Sequence, residues 1–309
     1  MHPPLRSRQS YRHEAFLWRD EADFTASMAS FVEQGVEAGE PVMVAVTPLH
    51  TRWLREVLSR DAVEHVRFVD MVRLGRNPAR IIPAWKDFVS DQASPVRGIG
   101  EPIWPERHAQ ELLECQLHEA LLNVAIDPET PLWLICPYDA RALSPAVMEE
   151  AYRSHPALIE DGSYRGSPLY GGRAYVDRLF AAELGQPETA SQEAVFTAGT
   201  VHLLARYAEL ELYVSGLDLD QATTLAAATH RLALDSLARS ASHLVVRVWR
   251  EPFAWICEVV DDVPVTDPLA GRSLPNGVHG GLWETNQASD LVQLRSGPAG
   301  TVARIFHWR

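Results

Sequence analysis

The chain has 309 residues, 46% of them hydrophobic, and a formal net charge of −13, so it holds enough apolar material for two cores and an acidic surface that disfavours nucleic acid as a direct partner. Lys86, in Ala84-Trp85-Lys86-Asp87-Phe88, is the only lysine, which excludes a phosphate loop of the form GxxxxGK[ST]. Cys115, Cys136 and Cys257 are too few and too scattered for a disulfide framework, and a polar, basic Met1 to Tyr11 with no long apolar run after it leads us to expect a cytoplasmic protein without a membrane span.

Short apolar runs alternate with helical stretches through the first half. The runs are Ala15 to Trp18, Pro41 to Thr47, Val66 to Met71, Val96 to Ile103 and Leu132 to Cys136. Between them, periodicity predicts helices near Glu21 to Glu37, ended by Gly39, near His50 to Ser59, near Pro78 to Gln92 and from about Arg107 to Ala125. Strand and helix in alternation imply a mainly parallel sheet covered on both faces, in three layers. Such sheets bind ligands beyond the carboxyl ends of their strands. A break rich in Glu, Gly, Gln, Pro and Ser at 183–192 reads as a linker, giving domains at 12–182 and 193–309.

Three stretches fall at or beside those strand ends: Gly98-Ile99-Gly100-Glu101-Pro102-Ile103-Trp104-Pro105, the helical Cys115-Gln116-Leu117-His118-Glu119-Ala120-Leu121-Leu122-Asn123, and Cys136-Pro137-Tyr138-Asp139. Cys115, His118 and Glu119 share one helix face, because separations of three and four bring side chains together. Thiolate, imidazole and carboxylate suit zinc or a similar ion, with Cys136 or Asp139 completing the shell. A helical cysteine is more often a small buried hydrophobe, with His118 a hydrogen-bond partner for a neighbouring strand end, and this plainer reading is the stronger of the two. Glu101, at a strand's carboxyl end beside Trp104, faces the expected pocket. The candidate ligand pocket is therefore Glu101, Trp104, Cys115, His118, Glu119 and Tyr138. No GxSxG elbow and no HExxH pair occurs, so neither a serine hydrolase nor a zinc protease is supported.

Together with His13-Glu14-Ala15-Phe16-Leu17, these motifs resemble the MEDS sensory domain, named for methanogen and methylotroph regulators, over about residues 12 to 172. That resemblance implies sensing of a small molecule.

In the second half, Leu225, Ala228, Leu232, Ala233 and Leu237 recur at helical spacing from Gln221 to about Ser240. His243 to Trp249 and Ala254 to Val260, separated by Arg250-Glu251-Pro252-Phe253, read as a strand pair around a turn. After them come Asp261-Asp262, Asp267-Pro268-Leu269-Ala270-Gly271-Arg272, Gly280-Gly281-Leu282-Trp283, Asp290-Leu291-Val292 and Gly297-Pro298-Ala299-Gly300-Thr301.

Helix, two strands, acidic loop, glycine turn and strand, in this order, resemble the ATPase domain of the GHKL superfamily over about residues 193 to 309, and most closely the anti-sigma-factor serine kinases and their actinobacterial relatives. The resemblance implies a two-layer α/β sandwich that holds ATP and Mg²⁺ at Asp235, Asp261, Gly280, Gly281 and Thr301, with Asp235 as the Mg²⁺ ligand and Asp261 on the adenine. It also implies a sigma factor or an anti-sigma antagonist as protein partner, and homodimerisation. The chain departs from the pattern at four positions. Arg231 stands where a carboxylate base is expected, and a guanidinium that stays protonated cannot take a proton. Asp235 replaces an Asn, and Val263 and His279 replace glycines. Arg231 and Asp235, at i and i+4, also read as a surface ion pair, and Asp261-Asp262 as turn residues. The expectation is a regulator with a small-molecule sensor and a degenerate, non-catalytic ATP-binding domain. The alternatives are an active serine kinase, and a sensor whose second domain only dimerises.

Overall fold

A computed structural model describes residues 10–273 and 280–309. The chain divides into two compact units, one ending at Val176 and the other beginning at Asp177.

In the first unit the order is β1 (Arg12–Trp18), α1 (Glu21–Glu37), β2 (Val42–Val46), α2 (Pro48–Val57), α3 (Arg60–His65), β3 (Val66–Asp70), α4 (Met71–Leu74), a 3₁₀ turn (Pro78–Arg80) and α5 (Ile81–Ser90). Then follow β4 (Val96–Gly100), α6 (Ala109–Ala125), β5 (Leu132–Asp139), α7 (Pro145–Ser154), β6 (Ala157–Glu160) and β7 (Ser163–Gly166), while α8 (Gly172–Phe180) runs through the division. The strands form one sheet in the order β3-β2-β4-β5-β1-β6-β7. All neighbours are parallel except β6 and β7.

Local chemistry sets these elements. Asp20, Thr47, Ser59 and Ser144 each cap a helix by accepting a backbone N–H, and Pro48 and Pro145 occupy first helical positions. Residues 42–46 are buried throughout, as a parallel strand covered on both faces requires. Phe16 and Trp18 of β1 join Phe24, Met28 and Val32 of α1 in the core on one face, which leaves His13, Ala15 and Leu17 facing the other. On that other face a Cβ at Gly98 would lie 2.6 Å from the Trp85 ring, so glycine lets the indole lie against β4. Strand β5 continues past Cys136 through Pro137 to Asp139. A proline is unusual in a central strand, but pairing with β4 has stopped at Ile99 and Ile135, so only β1 flanks β5 at that level.

The second unit comprises β8 (Gln192–Phe196), a 3₁₀ turn (Val201–Leu203), α9 (Leu204–Val214), α10 (Leu219–Ala238), β9 (Leu244–Arg250), β10 (Ala254–Asp261), α11 (Gly280–Ala288), β11 (Leu291–Gly297) and β12 (Gly300–Trp308). Its sheet is antiparallel throughout, in the order β11-β12-β10-β9-β8. Helix α10 packs on β10 and against both α9 and α11. The fold is thus mixed α/β, a mainly parallel sheet followed by an antiparallel one. Gly280-Gly281, expected as a turn, is the first turn of α11, and His279 lies outside the described residues.

Candidate functional site

Four chemically active side chains of the first unit meet in its interior. His13 comes from β1, Glu119 from α6, Cys136 from β5, and His155 from the residue that ends α7, and each is at most 1% exposed. His13 Nε2 lies 3.0 Å from Glu119 Oε2, His155 Nε2 lies 3.1 Å from the same oxygen, and Cys136 Sγ lies 3.4 Å from His13 Nε2. One ligand atom from each residue falls within 4.8 Å of every other. The two rings are 4.1 Å apart. Register explains the meeting: Ala15 pairs with Cys136, so Cys136 and His13 project from neighbouring positions on the same face.

The far side of each imidazole is held. Asn123 directs its amide nitrogen at the carbonyls of Ser154 (2.7 Å), Glu119 and Ala120, which leaves its oxygen to accept from His13 Nδ1 at 3.1 Å. His155 Nδ1 donates to the Ala151 carbonyl at 2.9 Å. Burial, then the neighbouring His155, pushes the His13 pKa down. Burial alone would raise the Glu119 carboxyl, but hydrogen bonds from His13 and His155 together hold it well below the usual carboxylate range. Sequence reasoning singled out Glu119 and Cys136 but neither His13, which it met only inside a family motif, nor His155, whose only signal is a histidine at the end of a helix.

The remaining sequence candidates disperse. Glu101 accepts from Thr47 N at 3.0 Å and from His50 Nδ1 at 2.8 Å, and His50 is packed among Trp18, Phe24 and Trp53. Trp104 lies under the Arg107 guanidinium, 3.8 Å from ring to carbon. Cys115 donates to the Pro102 carbonyl at 3.2 Å. His118 and Tyr138 are buried, with Tyr138 set edge-on to the His155 ring. Asp139 caps the turn that follows β5. None of the six proposed pocket residues lines a cavity of about 240 Å³ beneath α1, whose walls include Arg12, Glu14, Phe16, Phe31, Trp133 and Tyr164. There the buried Glu14 accepts from Trp133 Nε1, Arg12 and Tyr164.

All three thiols are buried. Burial raises Cys115 and Cys257 to about 12, and burial, with the Glu119 charge after it, raises Cys136 well above its ordinary value. Thiolate is the reactive form, so a disulfide reagent at mildly alkaline pH should modify none of the three in the native chain and all three after denaturation. The sign for stability follows. A raised acid favours the folded state below the unfolded thiol value of 9.0 and withdraws that contribution as pH climbs towards 12, so the native state weakens across that alkaline window.

In the second unit four of the five residues proposed for nucleotide contact, Asp235, Asp261, Gly281 and Thr301, have internal partners. Asp235 accepts from Leu282 N at 2.7 Å and from Gly281 N at 3.2 Å, capping α11 from α10. A Cβ on Gly281 would meet the Arg231 carbonyl at 2.8 Å, so that glycine is required by the close approach. Gly280 has open space around its Cα. Asp261 accepts from Ser236 Oγ at 2.5 Å, Arg239 NH2 at 2.6 Å and Val263 N at 2.9 Å. Thr301 donates to the Val263 carbonyl at 2.7 Å and accepts from Val265 N at 3.2 Å. Arg231 lies 3.7 Å from Glu284. Replacing Asp235 by alanine should cost about 1 kcal/mol, the ordinary loss of a helix cap, seen as faster amide exchange in the first turn of α11.

Among the described residues no helix is long and apolar enough to cross a membrane. No curated protein matches the chain. Residues 12–156 match the family model described as MEDS: MEthanogen/methylotroph, DcmR Sensory domain, which supports a sensory domain in this part of the chain and a sensor role for the protein.

Proposed function

We propose that the chain is a cytoplasmic signalling regulator of the anti-sigma type. Its sensory domain answers a small molecule, and its C-terminal unit acts by binding a protein, a sigma factor or its antagonist, and transfers no phosphate. The observation that carries this reading is the state of Asp235 and Asp261, the two carboxylates that the GHKL resemblance assigns to Mg²⁺ and adenine. Asp235 is committed to the amides of α11 and Asp261 to a buried ion pair with Arg239. Nucleotide binding would have to break both, and leaving one partner of a buried pair unmatched costs about 3–5 kcal/mol. Arg231 adds that no base stands at the matching position. What the unit retains is a helix-on-sheet scaffold able to present a surface. For a ligand to control that surface it must bind one arrangement better than another.

Calorimetric titration of Mg²⁺-ATP into the purified chain tests the reading. The expected result is no heat at millimolar ATP, with a complex to a purified sigma factor or antagonist forming in nucleotide-free buffer. Micromolar ATP binding that disappears in Asp261→Asn, joined to phosphate transfer onto a partner serine, would overturn it.

A further inference from the structure

We propose that His13, Glu119, Cys136 and His155 form a closed, four-ligand site for a divalent cation of the zinc class inside the sensory domain. The argument begins with hydrogen accounting. Asn123 and the Ala151 carbonyl each claim an Nδ1–H, so either imidazole, once it carries no second proton, turns an Nε2 lone pair inward. Those lone pairs meet Glu119 Oε2 at 3.0 and 3.1 Å, and Oε1 of the same carboxylate is buried without a hydrogen bond. Three acceptors converging on one point repel each other unless protons or a cation lie between them.

Geometry and charge favour the cation. Zinc bonds of about 2.0 to 2.3 Å put neighbouring tetrahedral ligand atoms roughly 3.3 to 3.6 Å apart. The separations of 3.0, 3.1 and 3.4 Å in the structure are within a few tenths of an ångström of that. One carboxylate and one thiolate cancel a double positive charge, so the loaded site is neutral, which burial at this depth demands. Two imidazoles, a thiolate and a carboxylate form a borderline set that suits zinc and not magnesium or calcium. Asn123 and the Ala151 carbonyl then serve as the outer partners that fix ring orientation in metal sites. Binding forms four coordinate bonds and releases to solvent the Cys136 thiol proton and any proton the imidazoles share with Glu119.

Burial also separates this from catalysis. A Cys–His–Glu group resembles a nucleophile with its base, but at 1% exposure or less no substrate reaches the sulfur. Because the ligands come from β1, α6, β5 and the end of α7, an ion here would clamp both helices onto the sheet. The site goes beyond the anti-sigma reading and does not depend on it.

The test uses the full chain, stripped with a chelator and dialysed against cobalt(II) or zinc. Expected are one equivalent of metal, cobalt d–d bands of tetrahedral intensity, and a sulfur-to-cobalt charge-transfer band. Cys136→Ser should lose that band while Cys115→Ser keeps it, and Asn123→Ala should bind about 10- to 100-fold more weakly. A wild-type chain that takes up no stoichiometric zinc and gives no cobalt spectrum would overturn the proposal, as would a charge-transfer band that survives in Cys136→Ser. Neither result touches ATP binding or the protein partner, so this site and the anti-sigma reading fail separately.

Discussion

Replacing Glu119 by alanine in metal-free buffer should destabilise the N-terminal unit by about 3–5 kcal/mol, the usual consequence of removing one partner from a buried charged group. Glu119 is the carboxylate on which both His13 and His155 converge, and no solvent reaches any of the three. Without it, two imidazoles face a cavity where an acceptor stood. Glu119→Gln keeps the volume and supplies an N–H to one Nε2, so its loss should be smaller. Amide exchange resolved to peptides from α6 and β5 locates the effect, and an unchanged protection pattern in Glu119→Ala would refute the argument. Acid should act in the same direction. Both His13 and Glu119 are depressed in the folded state, from 6.5 and 4.5 respectively, so each contributes stability above its unfolded value and loses it as pH falls. Stability of the wild-type unit should therefore decline below about pH 6.5 and more steeply below about 4.5.

Periodicity made most of the architecture legible, because fully apolar runs separated by capped helices leave few arrangements open. The helix expected near Glu21 to Glu37, ended by Gly39, has those limits, and the structure adds Asp20 as its cap. Strand β5 was cut short at Pro137 because a sequence does not reveal that its neighbour β4 has already ended. The same blindness applied to the histidine cluster. Glu119 and Cys136 stood out as chemically able residues, but spacing along α6 pointed to Cys115 and His118 as their companions. The side chains that meet Glu119 belong to β1 and to the end of α7, 106 residues away in the case of His13. Helical spacing reports only the neighbours that lie on the same helix, and the sheet register that brings His13 beside Cys136 is a tertiary fact. In the second unit the motif order placed helix α10 and strands β9 and β10 within a few residues, whereas the use of Asp235 as a cap for α11 depends on how those elements close on one another.

Replacing Asp261 by alanine should lower the stability of the C-terminal unit by about 3–5 kcal/mol, whether or not nucleotide is present. The residue is 5% exposed and gathers three donors, Ser236 Oγ, Arg239 NH2 and Val263 N. Two of them sit at the end of α10 and the third in the loop after β10, so the carboxylate ties the helix terminus to the strand end. Alanine leaves a largely buried guanidinium with no counter-charge. An adenine-binding role predicts the reverse pattern, a residue whose removal abolishes ATP binding while the fold stays intact. Amide exchange in β9 and β10 separates the two. Protection should fall in Asp261→Ala and should not return when Mg²⁺-ATP is added. Replacing Arg239 by methionine in the same chain removes the orphaned charge and restores apolar contact, so the double variant should recover part of the loss. If Arg239→Met gave no recovery, the ion pair would not be what holds α10 to the end of β10.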